Sequence, residues 1–176
     1  MRPHLVTAIA LLALTVHFSA HAAPQNHSAH NSAYGGQQHR AIKSLSPEDV
    51  EELRRGGGWG LAKAAELNGM PGPAHVLELK DKIALTPDQT TTIKAIFQDM
   101  RRRAVAKGEQ LIELEKQLNH GFKTGHITDQ RLRALLTMIA QAREELRYIH
   151  LSTHLKTPKI LSETQIGQYN MLRGYQ

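Results

Sequence analysis

Cysteine is absent from this chain, and aromatic residues make up only 5% of it, with Trp59 the single tryptophan. Without thiols the chain has no disulfide staple, no thiolate nucleophile and no soft sulfur anion for a metal, so its stability must come from packing, oligomerisation or a bound metal. So few aromatics also leave little with which to stack unpaired bases, which argues against a nucleic-acid platform despite a net charge of +6. Beyond the first 22 residues no apolar run approaches membrane-spanning length. Catalytic signatures are missing as well. The glycine cluster Gly56-Gly57-Gly58-Trp59-Gly60 has no Gly-Lys-Ser or Gly-Lys-Thr continuation, no His-Glu-x-x-His occurs, and no serine has a nucleophile-elbow context. The chain therefore reads as a binding protein and not as an enzyme.

What is present begins with an export signal. Arg2 precedes an apolar run from Leu5 to Ala20, and Ala20-His21-Ala22 offers small residues where a signal peptidase cuts. Residues 1–22 are read as a signal peptide; its removal takes the charge from +6 to +5 and leaves 154 residues, enough for one domain. Residues 23–43 lack apolar periodicity and read as a flexible leader whose His27, His30 and His39 can hold divalent metal only weakly. Residues 44–176 form the domain.

The domain reads as all-α. Ser46 and Pro47 open a short helix that ends at Arg54-Arg55, a helical piece follows over Leu61–Leu67, and another over Ala74–Leu85. Thr86-Pro87-Asp88-Gln89 carries a cap, a first-turn proline and a capping-box glutamine. It starts a long helix whose apolar stripe includes Ile93, Ile96, Phe97, Met100, Ala104, Leu111, Leu114 and Leu118, ending at Asn119-His120-Gly121. A second long helix, capped by Thr128, carries Leu132, Leu135, Leu136, Ile139, Ala142 and Leu146 to about Leu155. The expected architecture is a long antiparallel helical hairpin flanked by shorter helices, with a second copy covering what the hairpin leaves bare, in an intertwined or cradle-like dimer. Pro158 ends the second helix, and Ser162 to Gln165 starts a last short one.

Leu85-Thr86-Pro87-Asp88-Gln89 and Leu161-Ser162-Glu163-Thr164-Gln165 resemble the two Leu-Thr-x-x-Gln motifs of the periplasmic Spy and CpxP-like superfamily of envelope-stress chaperones, zinc-resistance-associated proteins and heavy-metal-resistance proteins. The second motif departs by carrying Ser162 for threonine, which keeps the capping hydroxyl. The resemblance spans about Leu45 to Tyr175. It implies a periplasmic, ATP-independent dimer that holds unfolded or misfolded envelope proteins, or a variant that binds metal for a sensor-kinase or efflux partner.

Two residue sets could serve those roles. Arg101, Arg102, Arg103, Lys107, Arg131, Arg133, Arg143 and Arg147 could form a basic client-binding face along the long helices, or simply a solvated surface. His150 and His154 lie one helical turn apart, and each sits 18 residues beyond a stripe leucine, Leu132 or Leu136, so both should point inward. If the hairpin turns near residue 123 or 124, His150 comes level with Phe97 and within reach of Met100, and His75 folds back to the same level. His75, His150 and His154, with Met100, would suit Zn, Ni, Co or Cu. The other reading makes them structural histidines bonded to neighbours such as Gln98, Asp99 or Tyr148.

Overall fold

Both Leu-Thr-x-x-Gln-like segments form capping boxes, and the glutamines of the two boxes bind each other. The computed structural model describes residues 32–175, so the signal reading and His27 and His30 lie outside it. The described residues form only helices and turns: α1 (Pro47–Arg54), α2 (Lys63–Glu66), α3 (Pro73–Glu78), α4 (Pro87–Thr124), α5 (Asp129–Lys156) and α6 (Glu163–Arg173), with 3-10 turns at Gln37–His39 and Thr157–Ile160. None of these helices is long and apolar enough to cross a membrane. Of the described residues, those from Gly36 onward make one compact unit, which residues 32–35 do not join.

Gln89 Oε1 accepts from the Thr86 backbone N–H at 3.0 Å, and Gln165 Oε1 accepts from that of Ser162 at 2.9 Å. Each side-chain amide then turns to the other. Gln89 Nε2 donates to Gln165 Oε1 at 2.9 Å, and Gln165 Nε2 donates to Gln89 Oε1 at 3.0 Å. The remaining protons go to backbone carbonyls placed two residues before the opposite cap: Gln89 to Ile160 O at 2.8 Å, Gln165 to Ala84 O at 3.2 Å. Every donor and acceptor of both amides is used, in a locally two-fold pattern. Ala84 presents its carbonyl from a left-handed conformation, φ 50°, which costs a non-glycine residue about 1 kcal/mol.

α4 and α5 pack along their length, with ascending positions on one facing descending positions on the other: Gln117 meets Arg131, Glu115 meets Arg143 and Met100 meets Thr153. Their seam buries Met100, Ala104, Leu111 and Leu114 against Leu135, Ile139, Ala142 and Leu146, together with Leu53 of α1, Ile42 and Leu45. α1 approaches closely because Gly108 has no side chain: a Cβ there would fall 2.5 Å from Leu53 O. A second cluster, Val76, Ile83, Ile93 and Tyr169, joins α3, the start of α4 and α6.

Several sequence expectations shift. α4 runs through Asn119-His120-Gly121 to Thr124 and ends at Gly125, whose φ of 69° supplies the left-handed cap. Its 38 residues span about 57 Å. The connection to α5 therefore lies further along than residue 124, and the register shifts accordingly: Met100 meets Thr153, where the expected turn put Phe97 level with His150. The helix expected over Ala74–Leu85 stops at Glu78, and turns carry the chain onward. Ile42 is buried in the main cluster, and Ser44 Oγ donates to Glu115, so packed structure begins upstream of Ser44. Leu136 of the expected stripe is 49% exposed.

Glutamate at either motif position would accept but not donate. Gln89→Glu or Gln165→Glu should destabilise the protein by on the order of 2 kcal/mol at pH 7. Thermal unfolding should drop by roughly 5 to 8 °C, and part of the deficit relative to the parent chain should be recovered near pH 4, where a protonated carboxyl donates again. Unchanged unfolding of both variants would remove the amide pair as a structural element.

Candidate functional site

Glu66, on the four-residue helix α2, is the most heavily engaged side chain among the described residues. It is 8% exposed, while the adjacent Leu67 is 63% exposed, an inversion of ordinary patterning. Tyr169 donates a short hydrogen bond to its Oε1, His75 Nδ1 donates at 3.1 Å, and the Tyr175 hydroxyl lies at 3.3 Å. Arg173 Nε stands 3.4 Å from the same oxygen, and His154 Nδ1 stands 3.8 Å from Oε2. Burial pulls the Glu66 pKa upward, but hydrogen bonds from His75 and Tyr169, then the charges of His75 and His154, outweigh it and hold the carboxyl at about 2. Burial, and then the hydrogen bond to Glu66, push the Tyr169 hydroxyl well above its ordinary range.

His154 is buried, as the stripe argument requires, but for a different reason. Its cover is the segment before α3: His154 Nδ1 donates to Met70 O at 2.8 Å, and a Cβ on Gly72 would fall 2.6 Å from its Nε2. A carbonyl only accepts, so a proton sits on Nδ1, and in the neutral form Nε2 is then the atom with the lone pair. The same logic places a proton on Nδ1 of His75, facing the carboxylate. His150 is 4% exposed and its Nε2 has no partner; burial, and then the His154 charge, lower its pKa. None of these histidines hydrogen bonds to Gln98, Asp99 or Tyr148, as the structural reading of the sequence expected; the carboxylate and carbonyl partners come from α2 and the segment behind it.

His75, Met100, His150 and His154, the four residues singled out from the sequence, line one cavity of about 730 Å³. Glu66, Trp59, Phe97, Lys63, Arg101 and Arg173 line it too, and the glycine cluster Gly56–Gly60 forms part of its wall. The chain matches no protein-family model, no curated protein and no solved structure.

The basic residues are mostly committed locally. Arg143 binds the buried Glu115 at 2.9 Å and lies 5.1 Å from the centre of the Trp59 ring, whose Nε1 donates to Asp49. That makes Arg143 a packing residue between α5, α4 and the segment after α1. Arg102 and Arg103 pair with Asp99, Arg133 with Asp129, Lys107 with Gln110 and Arg131 with Gln117, whereas Arg101 donates to the Arg55 carbonyl. Among the described residues Arg147 has no such partner.

Replacing Glu66 tests the cluster through pH. A folded pKa near 2 against an ordinary 4.5 means the unfolded chain binds more protons between those values, so stability is present above pH 4.5 and is lost as pH falls toward 2. For His150, whose folded pKa is lowered, stability is likewise lost as pH falls below its ordinary value of 6.5. Glu66→Gln should cost on the order of 2 kcal/mol at pH 7 and reduce the lower-pH slope of a urea-unfolding series to what Glu48 and Asp49, also held below their ordinary values by hydrogen bonds, still supply, while leaving the slope near pH 6. A full slope below pH 4.5 in Glu66→Gln would assign that titration to other carboxylates.

Proposed function

We propose that this chain is an exported, periplasmic client-binding protein of the envelope- or heavy-metal-stress type, acting without ATP, in line with the resemblance carried by its two Leu-Thr-x-x-Gln-like motifs. In this reading α4 and α5 form the antiparallel hairpin of a cradle-like homodimer. The observation that carries it is the set of large apolar side chains left exposed on α5 and α6: Leu136, Tyr148, Leu155, Met171 and Leu172. Tyr148 and Leu155, seven residues apart, share one face of α5; such an exposed apolar face would serve as an interaction surface, and exposed Arg133 and Arg147 on α5 would steer acidic, partly unfolded chains toward it. The ion pairs at Asp99 and Asp129 are exposed and contribute little to stability, so their arginines can exchange partners.

The protein should suppress aggregation of an acidic client, such as reduced α-lactalbumin, at near-stoichiometric ratios with no nucleotide and no metal. Tyr148→Glu with Leu155→Glu should reduce that suppression by at least half at unchanged helix content, since both side chains are already in solvent. A protein that leaves light scattering unaltered at a fivefold excess over client is not a chaperone.

A second reading, divalent-metal binding in a sensor or accessory role, is favoured by the common cavity of His75, Met100, His150 and His154. The donor chemistry fits, because His75 and His154 are each held through Nδ1 with Nε2 left as a ligand atom. Among the described residues, however, no group of three or more such side chains is gathered closely enough to hold an ion, so binding would require them to rotate together. Calorimetry with Zn²⁺, Ni²⁺, Co²⁺ and Cu²⁺ decides it. Binding of one ion that survives replacement of His27, His30 and His39 but is lost in His150→Ala/His154→Ala supports the folded site, and binding lost with the leader histidines excludes it.

A further inference from the structure

We infer that the 730 Å³ cavity is a binding site for a small organic anion with an apolar body, a medium-chain or aryl carboxylate being the chemical class. This site is independent of client binding on α5 and α6 and asks for no metal.

The cavity falls within the range that small-molecule pockets occupy, about 300 to 1,000 Å³. Its apolar wall consists of half-buried Trp59 and Phe97 and buried Met100. Within that wall His150 supplies a polar atom, Nε2, that nothing in the protein satisfies. A buried polar atom without a partner costs about 1 to 3 kcal/mol, and because this one is sealed from solvent a ligand head would satisfy it only after the imidazole turns toward the cavity. Arg173 Nε is a second buried donor on the same cavity that lacks a well-formed hydrogen bond, although Glu66 lies 3.4 Å away.

Charge selects the sign of the ligand. Arg55 is matched by Glu52, and Arg173 by Glu66. Lys63 and Arg101 line the cavity from exposed positions and take part in no ion pair among the described residues, against one unpaired carboxylate, the exposed Glu78. Arg101 is held in place by its Nε bond to the Arg55 carbonyl at 3.2 Å, which leaves the outer guanidinium nitrogens for a carboxylate. An apolar body against Trp59, Phe97 and Met100, with its anionic head at Arg101 and Lys63, uses both halves of the site. A compact cation gains nothing from the apolar wall and meets the excess positive charge.

Trp59, the only tryptophan, makes the site self-reporting. Decanoate does not absorb where tryptophan emits, so the full chain can be titrated with decanoate, decanol and decyltrimethylammonium, following Trp59 emission and heat in parallel. Saturable one-to-one binding of decanoate with a Trp59 change, at least tenfold tighter than decanol and with the cation, which shares the decyl body, weaker than either, is the expected result. Two variants locate it. Arg101→Gln should weaken decanoate at least tenfold and leave decanol unchanged. Phe97→Ala, which strips part of the apolar wall, should weaken both without altering helix content. Equal affinity for all three amphiphiles, binding that leaves Trp59 silent, or full decanoate affinity in Arg101→Gln overturns the proposal. Aggregation suppression measured with and without saturating decanoate separates the two functions: unchanged suppression supports an anion site apart from the client surface, and competition places the anion on the client surface and overturns this site.

Discussion

The reciprocal amide pair of Gln89 and Gln165 is the constraint on which the ends of the structure depend. Two helix starts 76 residues apart are capped by the same two side chains that join them, so neither cap can form fully without the other segment in place. Only a primary amide satisfies the geometry, because each position must accept twice and donate twice. The bond to Ala84 O also accounts for the strained backbone there: the carbonyl is turned to meet Gln165.

Around this joint the fold uses two kinds of adhesive. The α4 and α5 seam is apolar and continuous, and its cohesion scales with buried area. The opposite kind holds α2, α3, α5 and α6, where one buried carboxylate, Glu66, collects bonds or close charges from His75, His154, Tyr169, Arg173 and Tyr175. Such a network is specific in geometry and sensitive to protonation, whereas the seam is neither. The cavity lies where the two meet: Met100, Phe97 and Trp59 belong to the apolar cluster, and Glu66, His75 and Arg173 to the polar one.

Much of the helical layout was legible because its signals are local. Ser46, Thr86, Thr128 and Ser162 each accept from a backbone amide three residues on, and the amphipathic stripe located most of the seam. The end of α4 was misplaced because Asn119-His120-Gly121 is a weak stop, and the left-handed cap at Gly125 overrides it. The grouping of His75, Met100, His150 and His154 was recovered from periodicity and folding back, although Met100 meets Thr153 and His154 is covered by residues near Gly72. Glu66 carried no signal, since a glutamate in a short alanine-containing helix reads as surface and its tyrosine partners lie 103 and 109 residues away.

By itself the sequence determined where helices start, which faces are apolar and that no disulfide holds them, because capping and periodicity act over a few residues and cysteine is absent. Tertiary structure alone decided that two capping glutamines share their bonds, that Glu66 is buried while Leu67 is not, and that Arg143 packs between Glu115 and Trp59. Each of those outcomes depends on groups brought together from distant segments, where desolvation and hydrogen-bond geometry, not local propensity, select the partner.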